Sequence, residues 1–468
     1  MGMGIPEPLP SLAQAARLIG ARSLSPVELT QTCLDRIAAF DGQLKSFILV
    51  DAEGAIEAAR AAEHEIMAGR WCGPLHGIPI ALKDNYDTAG IRTTAGSRLH
   101  ADRVPQEDAA AWSRLRAAGA ILLGKLEMHE FAFGGPAEDA LFQPPSNPWD
   151  RLRYAGGSSG GAGVAVAAGL CMAAMGTDTN GSIRIPAAHC GVAGLKPTFG
   201  LVSRRGVVPL SWSLDHCGPM ARTAEDCALM LEASAGFDRG DPASVHRQIG
   251  RWGSDRSSLT DLRIGVVRFA DGEPAIAPAV ERACSAAIEV LRGLGATIVG
   301  VTLPSLWDFT AVSITISTAE AFAMHANGLR NRPECYNSFT RARFGLGSYL
   351  SAADYIEAQR LRRELSDACT ATLSRVDLLA CPAATDTAPL RTAMDPYYYL
   401  DAPMITSPFS AVGLPAISIC CGFDETGLPI GLQLAARAFD DGTILRAADV
   451  YERSTPWRDR RPTMPTVN

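Results

Sequence analysis

Two serine clusters bracketed by glycine stand out in this chain: Gly156-Gly157-Ser158-Ser159-Gly160-Gly161 and Gly176-Thr177-Asp178-Thr179-Asn180-Gly181-Ser182. Glycine beside serine lets the backbone approach a substrate closely and leaves amide N–H groups free to bind a developing oxyanion. Both clusters are therefore candidates for catalysis. Flexible loops and helix caps are the alternative interpretation, because they are also rich in glycine and serine.

The first cluster also satisfies the pattern G-x-S-x-G, which is typical of the nucleophile elbow of α/β-hydrolases. That elbow follows an apolar strand, whereas residues 150–155 read Asp-Arg-Leu-Arg-Tyr-Ala. It also requires a catalytic histidine late in the chain, and the last histidine here is His325. A Ser-His-Asp triad is therefore disfavoured, and His189 and His216 are interpreted as structural hydrogen-bonding residues.

The general base then has to be another residue type, and Lys83 is the best candidate. It ends the apolar run Ile78 to Leu82, which would carry its ammonium group into the interior. Burial disfavours the charged form and can lower the pKa of lysine from about 10.4 toward neutrality, where an amine can accept a serine proton. The alternative is an ordinary surface lysine at the end of a strand.

Helical and strand-like segments alternate along the chain, which predicts an α/β fold with helices on both faces of the sheet. The predicted elements are a helical lead-in over 11–69, a strand ending at Lys83, a helix and strand over 109–123, an apolar helix-like run over 163–175, a β-α-β unit over 262–301, a charged helix over 353–374, and strands over 376–381, 414–420 and 430–435. The polar stretch 236–258 is either a boundary or one long surface loop.

Composition excludes several classes of protein. The chain has 468 residues, of which 47% are hydrophobic, and a net charge of −7, so it is neither disordered nor fibrous. Mild acidity argues against a nucleic-acid-binding surface. The apolar stretch from Gly163 to Met175 is too short to span a bilayer, which needs about 20 residues.

Cysteine usage and the first residues indicate where the protein resides. The twelve cysteines are dispersed and contain no C-x-x-C pair, which favours a reducing compartment over a disulfide framework or a zinc site. Met1 to Pro10 lacks the basic and apolar regions of a signal peptide. We therefore expect a cytoplasmic protein without a bound metal.

The block from Gly156 to Phe199, which contains Gly-Leu-Lys-Pro-Thr near its end, closely resembles the signature of the amidase signature family. Residues 74–84, 147–149, 213–216 and 427–434 extend the resemblance across most of the chain. It implies one α/β/α sandwich domain over residues 1–468, with a large central mixed β-sheet covered by helices. Within it, 1–69 would be the lead-in, 70–235 the core with the catalytic triad, and 259–468 the second part of the sheet with elements of the substrate pocket.

The resemblance also implies hydrolysis of C–N bonds by a Ser-Ser-Lys triad without a metal or organic cofactor. By position, Ser182 is the nucleophile, Ser158, in a cis peptide bond with its predecessor, is the proton shuttle, and Lys83 is the general base. Ser158 is chosen over Ser159 because it holds the family's spacing to Ser182. The expected oxyanion-hole and substrate-binding residues are Thr179, Asn180, Gly181, Ala132 and Arg343, with the Ser182 amide as a further donor.

Asn180 stands where the family pattern has glycine. Asparagine is the non-glycine residue that best tolerates positive φ, and its side chain would narrow the pocket or add a hydrogen-bond donor. The substrate preferences of relatives with glycine at this position are therefore not transferred to this chain.

The resemblance leaves several substrates open. The glutamine-hydrolysing subunit of tRNA-dependent amidotransferases is similar, with Arg343 facing a substrate carboxylate, but Pro403 stands where an aspartate is expected. The run Asp178 to Ser182, followed by Ser203-Arg204-Arg205-Gly206, is more similar to biuret-type and other stand-alone amide or carbamate hydrolases. Aryl amides and urethanes would suit an apolar pocket, for which the aromatic candidates are Phe131, Phe133, Tyr154 and Trp212.

A protein of another class, a non-catalytic assembly subunit with the same fold, remains the alternative to an enzyme. The expected partner is a small-molecule amide or carbamate and, at most, a second copy of the chain in a homodimer. Neither a nucleic acid nor a membrane is expected to bind.

Overall fold

The computed structural model describes residues 9–247, 258–272 and 274–464. Eleven strands form one sheet in these ranges: β1 Phe47–Val50, β2 Pro79–Lys83, β3 Ile121–Leu126, β4 Ala173–Asp178, β5 Ala193–Lys196, β6 His216–Ala221, β7 Arg263–Phe269, β8 Thr297–Leu303, β9 Leu378–Pro382, β10 Ala416–Phe423 and β11 Pro429–Ala436. Their spatial order is β1-β3-β2-β4-β6-β5-β10-β11-β9-β7-β8. The sheet contains both parallel pairs, such as β2 with β4, and antiparallel pairs, such as β4 with β6, so the predicted large mixed sheet is confirmed.

The α-helices in the described ranges are α1 Leu12–Gly20, α2 Pro26–Arg36, α3 Gly42–Leu44, α4 Ala52–Met67, α5 Ala110–Ala117, α6 Gly160–Ala167, α7 Arg184–Cys190, α8 Ala224–Ser234, α9 Pro278–Gly293, α10 Leu306–Asn331, α11 Ser338–Gly345, α12 Ala352–Leu373, α13 Ser407–Ala411 and α14 Asp441–Arg453. In the part of the chain that the structure describes, no helix combines the length and apolar character needed to cross a bilayer.

The two faces of the sheet are covered by different layers. Successive side chains of a strand point to opposite faces, and on β9 Leu378 and Ala380 belong to the core that includes α8, α9 and α14. Leu379 and Cys381 belong instead to the core that includes α10 and α12. The predicted layers of helices on both faces are therefore confirmed.

Most predicted elements are present. The unit β7-α9-β8 is a parallel β-α-β unit, and β10 pairs with β11 as an antiparallel hairpin. The purely helical lead-in is wrong, because β1 lies within it and pairs with β3 at the edge of the sheet. The helix-like run 163–175 is confirmed only at its start: α6 ends at Ala167 and β4 begins at Ala173, and both are fully buried. Of the stretch 236–258, residues 248–257 lie outside the described ranges.

The sheet brings the two serine clusters together at the carboxyl ends of β2 and β4. β2 and β4 are parallel neighbours, with Ile80 opposite Ala173 and Leu82 opposite Met175. Their carboxyl ends therefore lie side by side, which places Lys83 next to the end of β4. Ser158 and Ser159 immediately precede α6, whose N-terminus lies at the same place.

Candidate active site

Lys83 is completely buried at the end of β2. Its Nζ lies 2.6 Å from Ser158 Oγ, 3.0 Å from Ser159 Oγ and 2.8 Å from Thr177 Oγ1. It forms no ion pair with any residue in the described ranges. Burial lowers the pKa of Lys83 to about 7, although Asp215, Asp178 and Glu127 act in the opposite direction. The alternative of a surface lysine is therefore wrong, and a large share of Lys83 is neutral at pH 7.

The hydrogen bonds distinguish the two adjacent serines. Ser159 Oγ donates to the Thr177 carbonyl oxygen at 3.1 Å and accepts from the Thr177 N–H at 3.3 Å. Its hydroxyl proton is thus committed, and its oxygen can only accept from Lys83. Ser158 has no other side-chain hydrogen bond within the described ranges, and a cis peptide bond joins it to Gly157. Ser158 is the hydroxyl whose proton is free to move to or from Lys83.

The loop that carries Ser182 is fixed by a buried ion pair that the sequence analysis did not single out. The Asp178 carboxylate accepts from the N–H of Gly181 at 2.7 Å and from Arg184 Nε and Nη2, both at 3.0 Å. Both side chains of the pair are fully buried. Although burial alone would raise the pKa of Asp178, Arg184 holds it well below its usual range. The sequence did carry a signal for this ion pair, because Asp178 and Arg184 are opposite charges within a glycine-rich, apolar stretch.

The conformation of this loop requires glycine at residue 181. Gly181 has φ +116°, and a Cβ there would lie 2.5 Å from Thr406 Oγ1. Asn180 is not among the described non-glycine residues with positive φ, so the suggested reason for asparagine is wrong. Because the Gly181 N–H is bonded to Asp178, it is not free for an oxyanion, which leaves the amides of Thr179, Asn180 and Ser182 as candidates.

A cavity of about 380 Å³ opens beside the serines. Six of the predicted site residues line it: Ala132, Ser158, Thr179, Asn180, Ser182 and Arg343. Lys83 lies behind Ser158, so the chain brings the three predicted triad members to one place. Their catalytic roles stay a prediction.

Ala132 and Arg343 approach the cavity in different ways. Ala132 has φ +61°, and its N–H donates to the His129 carbonyl oxygen at 2.8 Å, so this amide is not available to an oxyanion. Arg343 is buried, with Nε donating to the Pro396 carbonyl oxygen at 2.6 Å and Nη1 to that of Phe133 at 2.5 Å. Its Nη2 is buried without a hydrogen-bond partner in the described ranges.

Aromatic and histidine side chains form much of the remaining wall. Of the four predicted aromatic residues, Phe133 and Tyr154 line the cavity, whereas Phe131 is in a core cluster and Trp212 is half exposed. His129, which the sequence analysis missed, lies against Gly157, and its Nε2 is 3.2 Å from the Tyr154 hydroxyl. Burial holds the pKa of His129 well below its usual value, so the ring is neutral.

The two histidines that were interpreted as structural differ in the structure. His216 Nδ1 lies 2.7 Å from the Leu214 carbonyl oxygen, away from the cavity, which agrees with a structural role. His189 lines the cavity, and its Nδ1 is buried with no hydrogen-bond partner in the described ranges. Within the same ranges, no group of three or more His, Cys, Asp or Glu side chains is arranged to hold a metal ion.

Known proteins resemble this chain over almost its whole length. The sequence model of the family described as Amidase matches residues 28–445. A glutamyl-tRNA(Gln) amidotransferase subunit from Chloroflexus aurantiacus is 41% identical over 478 residues, covering 96% of this chain and 97% of that protein. A solved protein complex, described as revealing the evolutionary origins of an s-triazine catabolic enzyme, is 35% identical with a TM-score of 0.88, covering 95% of this chain and 98% of the other. The native peptide amidase of Stenotrophomonas maltophilia is 30% identical with a TM-score of 0.85, and the match covers 99% of this chain and 100% of that chain.

Proposed function

This chain belongs to the amidase family and is an amide-hydrolysing enzyme, and we propose that Ser182, Ser158 and Lys83 cleave the C–N bond of a small amide or carbamate. The observation that carries the proposal is the buried Lys83 Nζ, which has no ion-pair partner in the described ranges and lies 2.6 Å from Ser158 Oγ. Ser158 and Ser182 line the same cavity. Unlike Lys196, which is also buried, Lys83 lies within hydrogen-bond distance of a serine hydroxyl that lines the cavity, and a non-catalytic assembly subunit would have no use for that arrangement.

The proposed reaction is a two-step acyl transfer. Ser182 Oγ attacks the substrate carbonyl carbon and gives its proton to Ser158, which passes its own proton to neutral Lys83. The relay then runs in reverse and protonates the leaving nitrogen, so the C–N bond breaks and an amine or ammonia departs. Water attacks the acyl-Ser182 ester by the same relay, which releases the carboxylate and restores the enzyme. The backbone N–H groups of Thr179, Asn180 and Ser182 are the candidates to stabilise the oxyanion in both steps.

Arg343 is proposed to bind an acceptor group at the far end of the substrate, such as a carboxylate. Its guanidinium lies against the rings of Phe133, Phe339, Tyr398 and Tyr399, at 4.6–5.7 Å from their centroids. It has no carboxylate partner in the described ranges, and an unpaired buried guanidinium N–H is costly. A substrate carboxylate would satisfy it.

Carbamates and ureas are proposed alongside simple amides. The solved complex described above is linked to s-triazine catabolism, whose compounds are rich in C–N bonds. The aromatic wall also suits aryl amides and urethanes.

Glutamine hydrolysis as part of a larger enzyme is the second candidate, supported by the 41% identity to a component of an amidotransferase. Pro403 lines the cavity at the position where an aspartate was expected, and it offers no charge to the α-ammonium group of glutamine. For this reason we favour a stand-alone hydrolase.

We further propose a cytoplasmic protein that folds as a single domain, because β5 of the amino-terminal part pairs directly with β10 of the carboxy-terminal part. A homodimer is proposed for its assembly. The name of the curated relative mentions a tRNA, which weighs against the expectation that no nucleic acid takes part. Light scattering after size-exclusion chromatography, with and without added tRNA, would test whether the chain forms a homodimer and whether it binds tRNA.

The decisive experiment combines labelling with a substrate panel. A fluorophosphonate should label wild-type protein at Ser182, as mapped by mass spectrometry, and should not label Ser182→Ala. The panel contains short carboxamides, anilides, ureas and carbamates, with and without a distal carboxylate, together with glutamine. No labelling and no turnover would overturn the proposed function, and glutamine as the sole substrate would favour the second candidate.

A further inference from the structure

Four buried side-chain atoms at the cavity have no hydrogen-bond partner in the part of the chain that the structure describes. They are Asn180 Oδ1, His189 Nδ1, Arg343 Nη2 and Tyr399 Oη. Buried polar atoms in proteins are otherwise nearly always hydrogen-bonded. Because these four atoms belong to residues that line the cavity, a bound substrate is positioned to supply the missing partners.

Asn180 is the one of these residues that lies in the reactive loop, two residues before Ser182. Its Nδ2 donates to Met404 Sδ at 3.2 Å. A thioether sulfur can only accept a hydrogen bond, so the amide nitrogen has to face Met404. Oδ1 is consequently the end of the Asn180 amide that is left unpaired.

The backbone at both residues of the Asn180–Met404 contact is held by hydrogen bonds to other parts of the chain. Thr406 Oγ1 donates to the Asn180 carbonyl oxygen at 2.9 Å. Met404 is itself held, because its N–H donates to Thr310 Oγ1 at 3.0 Å. Both ends of the contact that orients Asn180 are therefore anchored to other parts of the chain.

An amide oxygen accepts hydrogen bonds and donates none, so its complement on a substrate is an N–H group. We propose that Asn180 Oδ1 accepts a hydrogen bond from an N–H adjacent to the carbonyl that Ser182 attacks. Asn180 then selects primary carboxamides, ureas and carbamates with a free N–H over esters and N,N-dialkyl amides. This inference rests on the proposed function, since it assumes that Ser182 attacks a carbonyl in this cavity.

The expected size of the selection follows from the cost of an unmade hydrogen bond. A buried donor without an acceptor costs an amount that corresponds to about a 10- to 100-fold change in rate. A variant that lacks Asn180 Oδ1 should show this loss with substrates that carry the N–H, because their N–H is left unpaired. A variant without the oxygen should not discriminate.

The test uses matched substrates and two variants. The best carboxamide from the panel is compared with the methyl ester and the N,N-dimethyl amide of the same acid, in wild type, Asn180→Ala and Asn180→Gly. The quantity of interest is the variant-to-wild-type ratio of kcat/KM for each substrate, because the intrinsic reactivity of the substrate cancels in that ratio. Asn331→Ala is the matched control, since Asn331 is exposed and its side chain donates to Asn327 at 2.7 Å, outside the cavity.

We expect both Asn180 variants to lose about 10- to 100-fold in kcat/KM for the carboxamide and to stay within about threefold of wild type for the ester and the dimethyl amide. Equal losses for all three substrates would indicate a role in loop geometry and would overturn the inference, as would no loss for any of them. If Ser182 is labelled by fluorophosphonate while the losses are equal, the proposed function stands and this inference falls. If wild type is neither labelled nor active, both fall together.

Discussion

Replacing Lys83 by methionine should nearly abolish activity without lowering stability at neutral pH. Methionine has a similar length but no charge to desolvate, and it removes the group that is proposed to take the proton of Ser158. General bases contribute about 100- to 10,000-fold to rates, so we expect kcat/KM to fall by an amount in this range. An ordinary surface or salt-bridged lysine would not give this combination of results.

The pH dependence of stability shows how much a neutral, buried Lys83 changes the free energy of unfolding. The pKa of Lys83 is about 7 in the folded protein, against an ordinary value of 10.5. Between these values the unfolded chain binds more protons than the folded one, so stability rises with pH across this window and is lowest below about pH 7. Between pH 7 and pH 9, the parent should gain about 2 kcal/mol that the methionine variant does not gain.

The comparison has to be a difference between two proteins, because other groups titrate in the same range. Burial also lowers the pKa of Lys196 to about 7, and this residue donates to the Leu414 carbonyl oxygen, away from the cavity. Lys196→Met is therefore the matched control: it should show the same altered pH dependence of stability as Lys83→Met but keep its activity.

Urea denaturation of the three proteins at pH 5, 7, 8 and 9, followed by tryptophan fluorescence, would measure the free energies of unfolding. Assays of the same samples at pH 7 and 8 would measure kcat/KM. The reasoning is refuted if Lys83→Met keeps most of its activity. It is refuted equally if the stability of the parent, relative to the variant, does not increase between pH 7 and pH 9.

Other substitutions separate the remaining roles. Ser182→Ala should abolish turnover with an unchanged thermal midpoint, and trapping an acyl-enzyme with a slow ester should modify Ser182 in the parent; modification of Ser158 would move the nucleophile there. Ser158→Ala should lose far more activity than Ser159→Ala, whose hydroxyl only orients Lys83; equal losses would contradict a shuttle at Ser158. Arg343→Lys should lower kcat/KM about 10- to 100-fold for substrates with a distal carboxylate and leave neutral ones within a few-fold; equal effects on both would contradict anion binding. Activity should survive prolonged dialysis against a chelator, and its loss with recovery on zinc would overturn a metal-free mechanism.

Local patterns predicted those parts of the fold whose periodicity is unambiguous. The helix α9 between β7 and β8 and the hairpin β10-β11 were both recognisable, because amphipathic spacing and a polar turn mark them. The edge strand β1 is only four residues long and lies between helices, so nothing local distinguished it. The run from α6 into β4 is apolar throughout, and a buried helix and a buried strand look the same in such a run.

The residues of the site divide in the same way, into those that the local sequence indicates and those that only the fold brings together. Lys83 and the two serine clusters could be found because the chain places each at the end of a strand or the start of a helix. Arg343, Tyr399 and Met404 reach the cavity from segments far away in sequence, and only the fold brings them to Asn180 and Ser182. Of these three, Arg343 was expected through family resemblance alone, and its aromatic surroundings were not foreseen.

This division explains why family membership identifies the reaction but not the substrate. The proposed proton relay is built on β2, β4 and α6, in the interior of the amino-terminal part, where the parallel register of β2 and β4 sets its distances. The distal wall of the cavity comes instead from α11 and residues 383–406, which contribute Arg343, Tyr399 and Met404. Changes in that wall alter what the cavity accepts without moving Lys83 relative to Ser158. A peptide amidase and a component of an amidotransferase can therefore share this fold over almost the whole chain, and the substrate has to be inferred from the unpaired polar atoms that face it.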